Sequence, residues 1–192
     1  MSSVHIVDLE ANNKAAVEQA ARILVDGFAA SSPMAWPDLE SAQEEIYATF
    51  SGDCISRVAT NESGKVVGWI AGQSQYDGRV WELHPLVVAP QYQGQGIGRL
   101  LVADFEERVR ERGGLTIMLG TDDEDGRTSL SGKHLLPDLW LNIAQIENLG
   151  RHPYEFYQRL GYTIVGVIPD ANGPGKPDIL MAKSLIEEYK SL

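Results

Sequence analysis

Residues 84–98 read HPLVVAPQYQGQGIG. An apolar run ends in Pro90, and then Gly94, Gly96 and Gly98 fall at every second position. Beyond them the pattern is helical over 97–112, with Ile97, Leu101, Phe105 and Val109 as an apolar stripe and Leu100 beside it. A strand, a glycine loop and an amphipathic helix, in that order, gather bare backbone amides at the positive end of a helix. That is chemistry suited to a phosphate.

Working outward, residues 4–9 alternate as a first strand and 12–29 read as a helix. Asn12 or Asn13 caps that helix, and Val17, Ala20, Ala21, Leu24 and Phe28 share one face. A proline-broken stretch leads to a second helical run, AQEEIYATF. Two strands then flank an Asn-Glu-Ser-Gly turn, and GRVWELHPLVVAP reads as a further long strand. Pro85 cannot donate to a ladder, so it marks a bulge or an edge. After the helix at 97–112 come a strand at 115–120, an acidic loop, a helix through LPDLWLNIAQIENL, a short helix PYEFYQRLG, and strands YTIVGVIPD and DILMAKSL. The expectation is an α/β chain with a mixed sheet of six or seven strands, in one domain over 1–192. The order is not the strict alternation of a doubly wound nucleotide fold.

Composition excludes several classes. Lys+Arg number 16 against 27 Asp+Glu, a formal charge of −11. That argues against nucleic acid and favours a cationic partner, although solubility alone also accounts for acidity. The single Cys54 forbids an intrachain disulfide, and no cysteine–histidine cluster has zinc spacing, so no metal is expected. No apolar run is long enough to span a membrane, and the first residues lack a secretory pattern. A reducing, cytoplasmic location fits.

Three phosphate readings compete for the glycine loop, beside a turn that binds nothing. A P-loop requires Gly-Lys-Ser/Thr, where this chain has Ile97-Gly98-Arg99. A dinucleotide fingerprint requires a sixth-position glycine, where Arg99 stands, and it follows a first strand. The third is the pyrophosphate loop of acetyl-coenzyme A-dependent N-acetyltransferases, which QYQGQG resembles, with Gln91 leading and Gly94 and Gly96 in place. The chain thus resembles the GNAT superfamily. The blocks WELHPLVV (81–88), GGLTIMLGTDD (113–123), HPYEFYQRLGYTIVGVIPDANG (152–173) and KPDILMAK (176–183) are further similar to the aminoglycoside 6′-N-acetyltransferases of the branch that forms homodimers. The first ~60 residues resemble that branch less clearly, MAWPDLE excepted.

The resemblance implies a GNAT fold, with two central parallel strands splayed and flanked by helices, and acetyl-CoA as cosubstrate. The backbone at Gln93, Gly94, Gln95, Gly96, Ile97, Gly98 and Arg99 would hold the diphosphate. Backbone groups of Leu86, Val87 and Val88 would bond the pantetheine arm, with the Leu86 N–H facing the acetyl oxygen. Attack of an amine on a thioester needs a proton acceptor, an oxyanion donor and an optional acid. Glu82 is the expected holder of the ammonium group and acceptor of its proton. His84, two residues on and on the same face if pairing is regular, either relays a proton or packs. Tyr157 is implied near the sulfur, where a phenol of ordinary pKa, about 10, suits a departing thiolate. Asn148 either bonds pantetheine or caps a helix, and Tyr154 packs.

For the acceptor, the acidic run TDDEDG suits a polycation, with Asp122 the first choice for a contact. Trp36 and Tyr76 either offer flat surfaces to a sugar or pack. Cys54 lies in another segment, so no acetyl-cysteine intermediate is expected. The reading is therefore transfer of acetyl to the 6′-amine of an aminoglycoside, conferring resistance, with no nucleic acid or membrane partner. A polyamine or protein N-acetyltransferase is the alternative, and a non-catalytic coenzyme A sensor the alternative of another class.

Overall fold

A computed structural model of the protein describes residues 4–186. It has seven strands with helices between them, a mixed α/β chain at the upper end of the expected strand number. Two compact units divide it, residues 4–115 with Leu185 and Ile186, and residues 116–184.

The first unit contains β1 (His5–Asp8), α1 (Lys14–Phe28), α2 (Leu39–Ala48), β2 (Cys54–Thr60), β3 (Val66–Gln75), β4 (Val80–Val88) and α3 (Ile97–Glu111). Its strands pair antiparallel in the order β1-β2-β3-β4. Asn13 caps α1 by accepting from the Ala16 N–H, and Asp38 with Ser41 closes a capping box on α2. The α1 face formed by Val17, Ala20, Ala21 and Leu24 is buried, with Phe28 packed at its edge. In the expected stripe of α3, Ile97, Leu101, Phe105 and Val109 are buried, whereas Leu100 turns to solvent.

Alternation along β3 sorts the two layers. A Cβ on Gly68 or Gly72 would meet Leu101 or Phe105 of α3, whereas Trp69 and Ala71 belong to the core that also contains α1 and α2 residues. Gly72 has no room at all, because its Cβ would lie 2.4 Å from a Phe105 ring carbon and from the Glu82 carbonyl oxygen. At Pro85 the ladder slips as expected for a bulge. Ile70 pairs with Leu86 but Gly72 with Leu83, so Ala71 stands opposite two residues, His84 and Pro85. Because side-chain direction alternates, that extra residue reverses the parity of β4. Glu82 and His84 therefore share a face with Val87, the face of α1 and α2.

The buried guanidinium of Arg57 on β2 ties α3 to β1, with Nε 2.7 Å from Asp104 and Nη1 2.5 Å from Asp8. The buried cation is thus compensated by a carboxylate on each of those neighbouring elements.

The second unit pairs β5 (Thr116–Asp122), β7 (Asp178–Ser184) and β6 (Thr163–Ile168) antiparallel, in that order. The helix expected over LPDLWLNIAQIENL is much shorter. A 3-10 turn at Leu136–Asp138 leads into α4, Leu139–Ala144. Beyond it the backbone finds partners outside the helix. The Glu147 N–H donates to Ser129 Oγ, and Asn148 forms a bridge with Thr128. The helix α5 covers Tyr154–Arg159.

Candidate active site

Gly94 and Gly96 both have positive φ, 75° and 85°, which side-chain-bearing residues rarely adopt. Gly96 is the N-cap of α3 and brings no side chain to satisfy the first turn. The first amide of this region with a backbone acceptor is that of Leu100, donating to Gly96. From Gly94 to Arg99, six successive N–H groups therefore make no hydrogen bond to any described residue. Two positive-φ glycines ahead of an uncapped helix make a cradle of donors at its positive end. The side chains of Gln93 and Gln95 brace the loop, donating to the Val88 and Gln91 carbonyls at 3.1 and 3.3 Å. The Val88 carbonyl is thus already engaged, while Leu86, Val87 and Val88 pair with Ile70, Trp69 and Gly68 of β3.

A second feature of the same unit is a cavity of about 140 Å³ lined by Glu45, Ala48, Thr49, Cys54, Gly72, Gln73, Glu82 and His84. Its floor is a row across the sheet, Cys54 opposite Gln73 and Gln73 opposite Glu82. Its wall is the C-terminal half of α2. The Glu82 carboxylate, half-buried, has no hydrogen-bond or ion-pair partner among the described residues. His84 lines the same cavity, as regular pairing through Leu83 predicts. Its Nε2 lies 3.9 Å from Glu45 and its ring rests on Trp36 at 5.7 Å.

Two readings change here. Trp36 is only 9% exposed and sits edge-on to Phe28 at 4.8 Å, so it supports His84 and offers no open face to a sugar. Cys54 lies beside Glu82 and His84 despite its distance along the chain, so separation in sequence excludes nothing about its thiol. Ser51 Oγ is 3.1 Å from that sulfur. Sequence reasoning also missed Glu45 and Gln73, whose only signal was the register of the hairpin strands and the pitch of α2. Tyr76 is exposed at a β3–β4 turn, with φ of 50°.

In the second unit, Tyr157 has a buried ring packed edge-on to Phe156 and Tyr162, at 5.0 and 5.7 Å. Its hydroxyl makes no hydrogen bond to a described residue. Burial pushes this phenol well above its ordinary value, so the expectation of an unshifted tyrosine fails. Asn148 caps no helix. Its amide donates to the His152 carbonyl at 3.0 Å and accepts from the His152 N–H at 2.7 Å, closing the loop between them.

The acidic run is also not a bare cluster of charge. Asp123, fully buried, accepts from the N–H groups of Arg127 and Thr128 and from the Thr128 hydroxyl. Asp125 pairs with Arg127 at 2.7 Å. Asp122 is exposed and accepts from the Asn172 amide at 2.5 Å through one oxygen. These carboxylates shape the loop before they can serve a ligand.

His152, 2% exposed, has its Nε2 3.0 Å from the Asp122 carbonyl, and burial lowers its pKa from the ordinary 6.5. The unfolded chain binds a proton that the folded chain refuses, so stability falls as pH drops below about 6.5. We expect melting to shift down between pH 7.5 and pH 5.5 from this group. His152→Gln, measured by thermal melts across that range, should flatten the slope.

Among the described residues no group of three His, Cys, Asp or Glu side chains is arranged to hold a metal, and no helix is long and apolar enough to cross a membrane. An uncapped helix start with bare amides and a strand carrying an unpaired carboxylate stand in one unit. The chain belongs to the acetyltransferase (GNAT) family, whose model matches residues 18–129. Among solved structures it is similar to an aminoglycoside 6′-N-acetyltransferase complexed with coenzyme A, 41% identical, with a TM-score of 0.87 over 95% of this chain and 97% of that one. It is similar at the same identity and coverage, with a TM-score of 0.84, to the aminoglycoside 6′-N-acetyltransferase from Enterococcus faecium. An aminoglycoside 6′-acetyltransferase type Ii is 36% identical, with a TM-score of 0.72 over the same shares. A comparison with curated protein sequences found no match.

Proposed function

We propose that this chain transfers the acetyl group of acetyl-CoA to the 6′-amine of an aminoglycoside, by direct attack in a ternary complex. The observation that carries the reading is the combination, in one unit, of six bare amides at 94–99 with the unpaired Glu82 carboxylate. No lysine or arginine among the described residues lines the Glu82 cavity, which suits a cationic acceptor. The names of the relatives at 41% identity support the same acceptor class.

In this mechanism the amides of the glycine loop hold the diphosphate, with the Gln93 and Gln95 side chains keeping the loop in shape. Backbone groups of Leu86–Val88 hold the pantetheine arm, and the Leu86 N–H faces the acetyl oxygen. Glu82 holds the acceptor ammonium and takes its proton. The amine nitrogen then bonds to the acetyl carbon, the carbon–sulfur bond breaks, and the sulfur leaves with its electron pair and takes the nitrogen's second proton, so that the products are a neutral amide and a free thiol. Tyr157 donates a hydrogen bond to that sulfur. Its raised pKa suits a donor that keeps its proton. His84, seated on Trp36, shapes the pocket beside Glu82. Asn148 keeps a second amide N–H for the cofactor beside its contacts with His152, whereas Asp122 retains an oxygen for an ammonium group and Tyr76 an exposed ring.

Acetylation turns a cationic amine into a neutral amide, the change through which aminoglycoside resistance would follow. A cytoplasmic location and a homodimer belong to the same reading and rest on the family likeness.

The test is thiol release with kanamycin, an aminoglycoside bearing a 6′-hydroxyl, spermidine and a histone-tail peptide in parallel. Repeated turnover is expected with kanamycin, at a rate at least tenfold above the others. A single burst without turnover, or preference for the peptide, would overturn the reading.

A further inference from the structure

The cavity that contains Glu82 contains a second carboxylate. Glu45 lies on α2 three residues after the buried Ala42 and one before the buried Ile46, so the helix presents it at the edge of its inward face. The capping box at Asp38 and Ser41 fixes where that helix begins, and the Thr49 hydroxyl, donating to the Ile46 carbonyl at 2.6 Å, fixes where it ends. The Glu45 side chain is 30% exposed. Its one ion-pair neighbour among the described residues is the His84 imidazole, at 3.9 Å, too far for a hydrogen bond. The other lining groups, Cys54, Gln73 and Thr49, carry no positive charge. Glu45 and Glu82 thus line one small space, with no lysine or arginine among its described lining, partly screened from water, where a cation gains more than at an open surface.

We propose that Glu45 is a specificity-determining residue that receives a second ammonium group of the acceptor while Glu82 receives the one that reacts. This rests on the function proposed above and narrows it. The enzyme selects acceptors carrying at least two ammonium groups over monoamines with the same reacting end.

The experiment compares kcat/KM for kanamycin with kcat/KM for methyl 6-amino-6-deoxyglucoside, a monoamine with the same aminomethyl group, in the wild type and in Glu45→Gln. The expected result is about a tenfold loss on kanamycin, carried by KM, with less than a twofold change on the monoamine and on the KM of acetyl-CoA. Glu45→Asp, which keeps the charge, should restore part of the ratio. Equal losses on both acceptors would mean that Glu45 merely holds His84 or the fold, and no loss on either would mean that it does nothing; both overturn the proposal. Wild-type turnover of kanamycin reports separately on the proposed function. Should kanamycin be inert, the same ratio is taken for spermidine over butylamine, where an unchanged ratio in Glu45→Gln overturns the Glu45 assignment as well.

Discussion

Glu82→Gln should lower kcat/KM for the acceptor by about 10²–10⁴, the usual contribution of a positioned proton acceptor. The amide is nearly the same size and, at a half-buried strand position, leaves packing unchanged. It cannot take a proton from an ammonium group, and it removes the charge that holds that group in place. Loss should therefore appear in kcat as well as in the acceptor KM, whereas the KM for acetyl-CoA should hold, because the glycine loop is a separate feature of the same unit. Stopped assays of thiol release at pH 7 with kanamycin separate the two constants. A variant that kept full kcat/KM would remove Glu82 from the mechanism and leave the cavity a structural hollow.

Gly96→Val should weaken coenzyme A binding by about 10–100-fold. Open space surrounds a Cβ built at Gly96, so no clash within the free protein is involved. The φ of 85° is the obstacle, since a side-chain-bearing residue pays about 1–2 kcal/mol there and a β-branched one is a genuine outlier. The valine loop will relax towards negative φ, turning the amides of Gln95 to Gly98 away from a common point. Each factor of ten in affinity is about 1.4 kcal/mol, so the strain together with one or two lost charge-assisted hydrogen bonds accounts for the range. Calorimetric titration with coenzyme A measures it. A parallel melt should move little, since the helix behind the loop keeps its buried stripe. Unchanged affinity would mean that the diphosphate lies elsewhere.

The local features were legible wherever the physics was local. The glycine loop, the cap at Asn13, the stripe of α3 and the turn after Thr60 depend on neighbours within a few residues, and each appears as its residues suggest. Family wording in four blocks extended this to the fold. Features set by distant partners were not legible. The helix after Pro137 reads as continuous, yet Ser129 and Thr128 draw residues 147 and 148 out of it. Trp36 reads equally as a surface or a core ring, and only Phe28 and His84 decide. The run at 122–125 reads as free charge, yet a buried Asp123 organising two amides and a hydroxyl is invisible without the loop's path. Cys54 and Glu45 join Glu82 through strand register and helix pitch, which no spacing in the chain reveals.

The bulge opposite Ala71 makes β4 two short strands in series, out of phase by one residue. Ahead of it, even-numbered side chains face α2 and carry the polar chemistry; behind it, odd-numbered ones face α1 and carry apolar bulk. An uninterrupted strand would have forced Glu82 and Val87 onto opposite surfaces, so either the carboxylate or the aliphatic would have sat in the wrong medium. The dislocation lets one continuous segment serve a polar-lined cavity and an apolar layer on the same side.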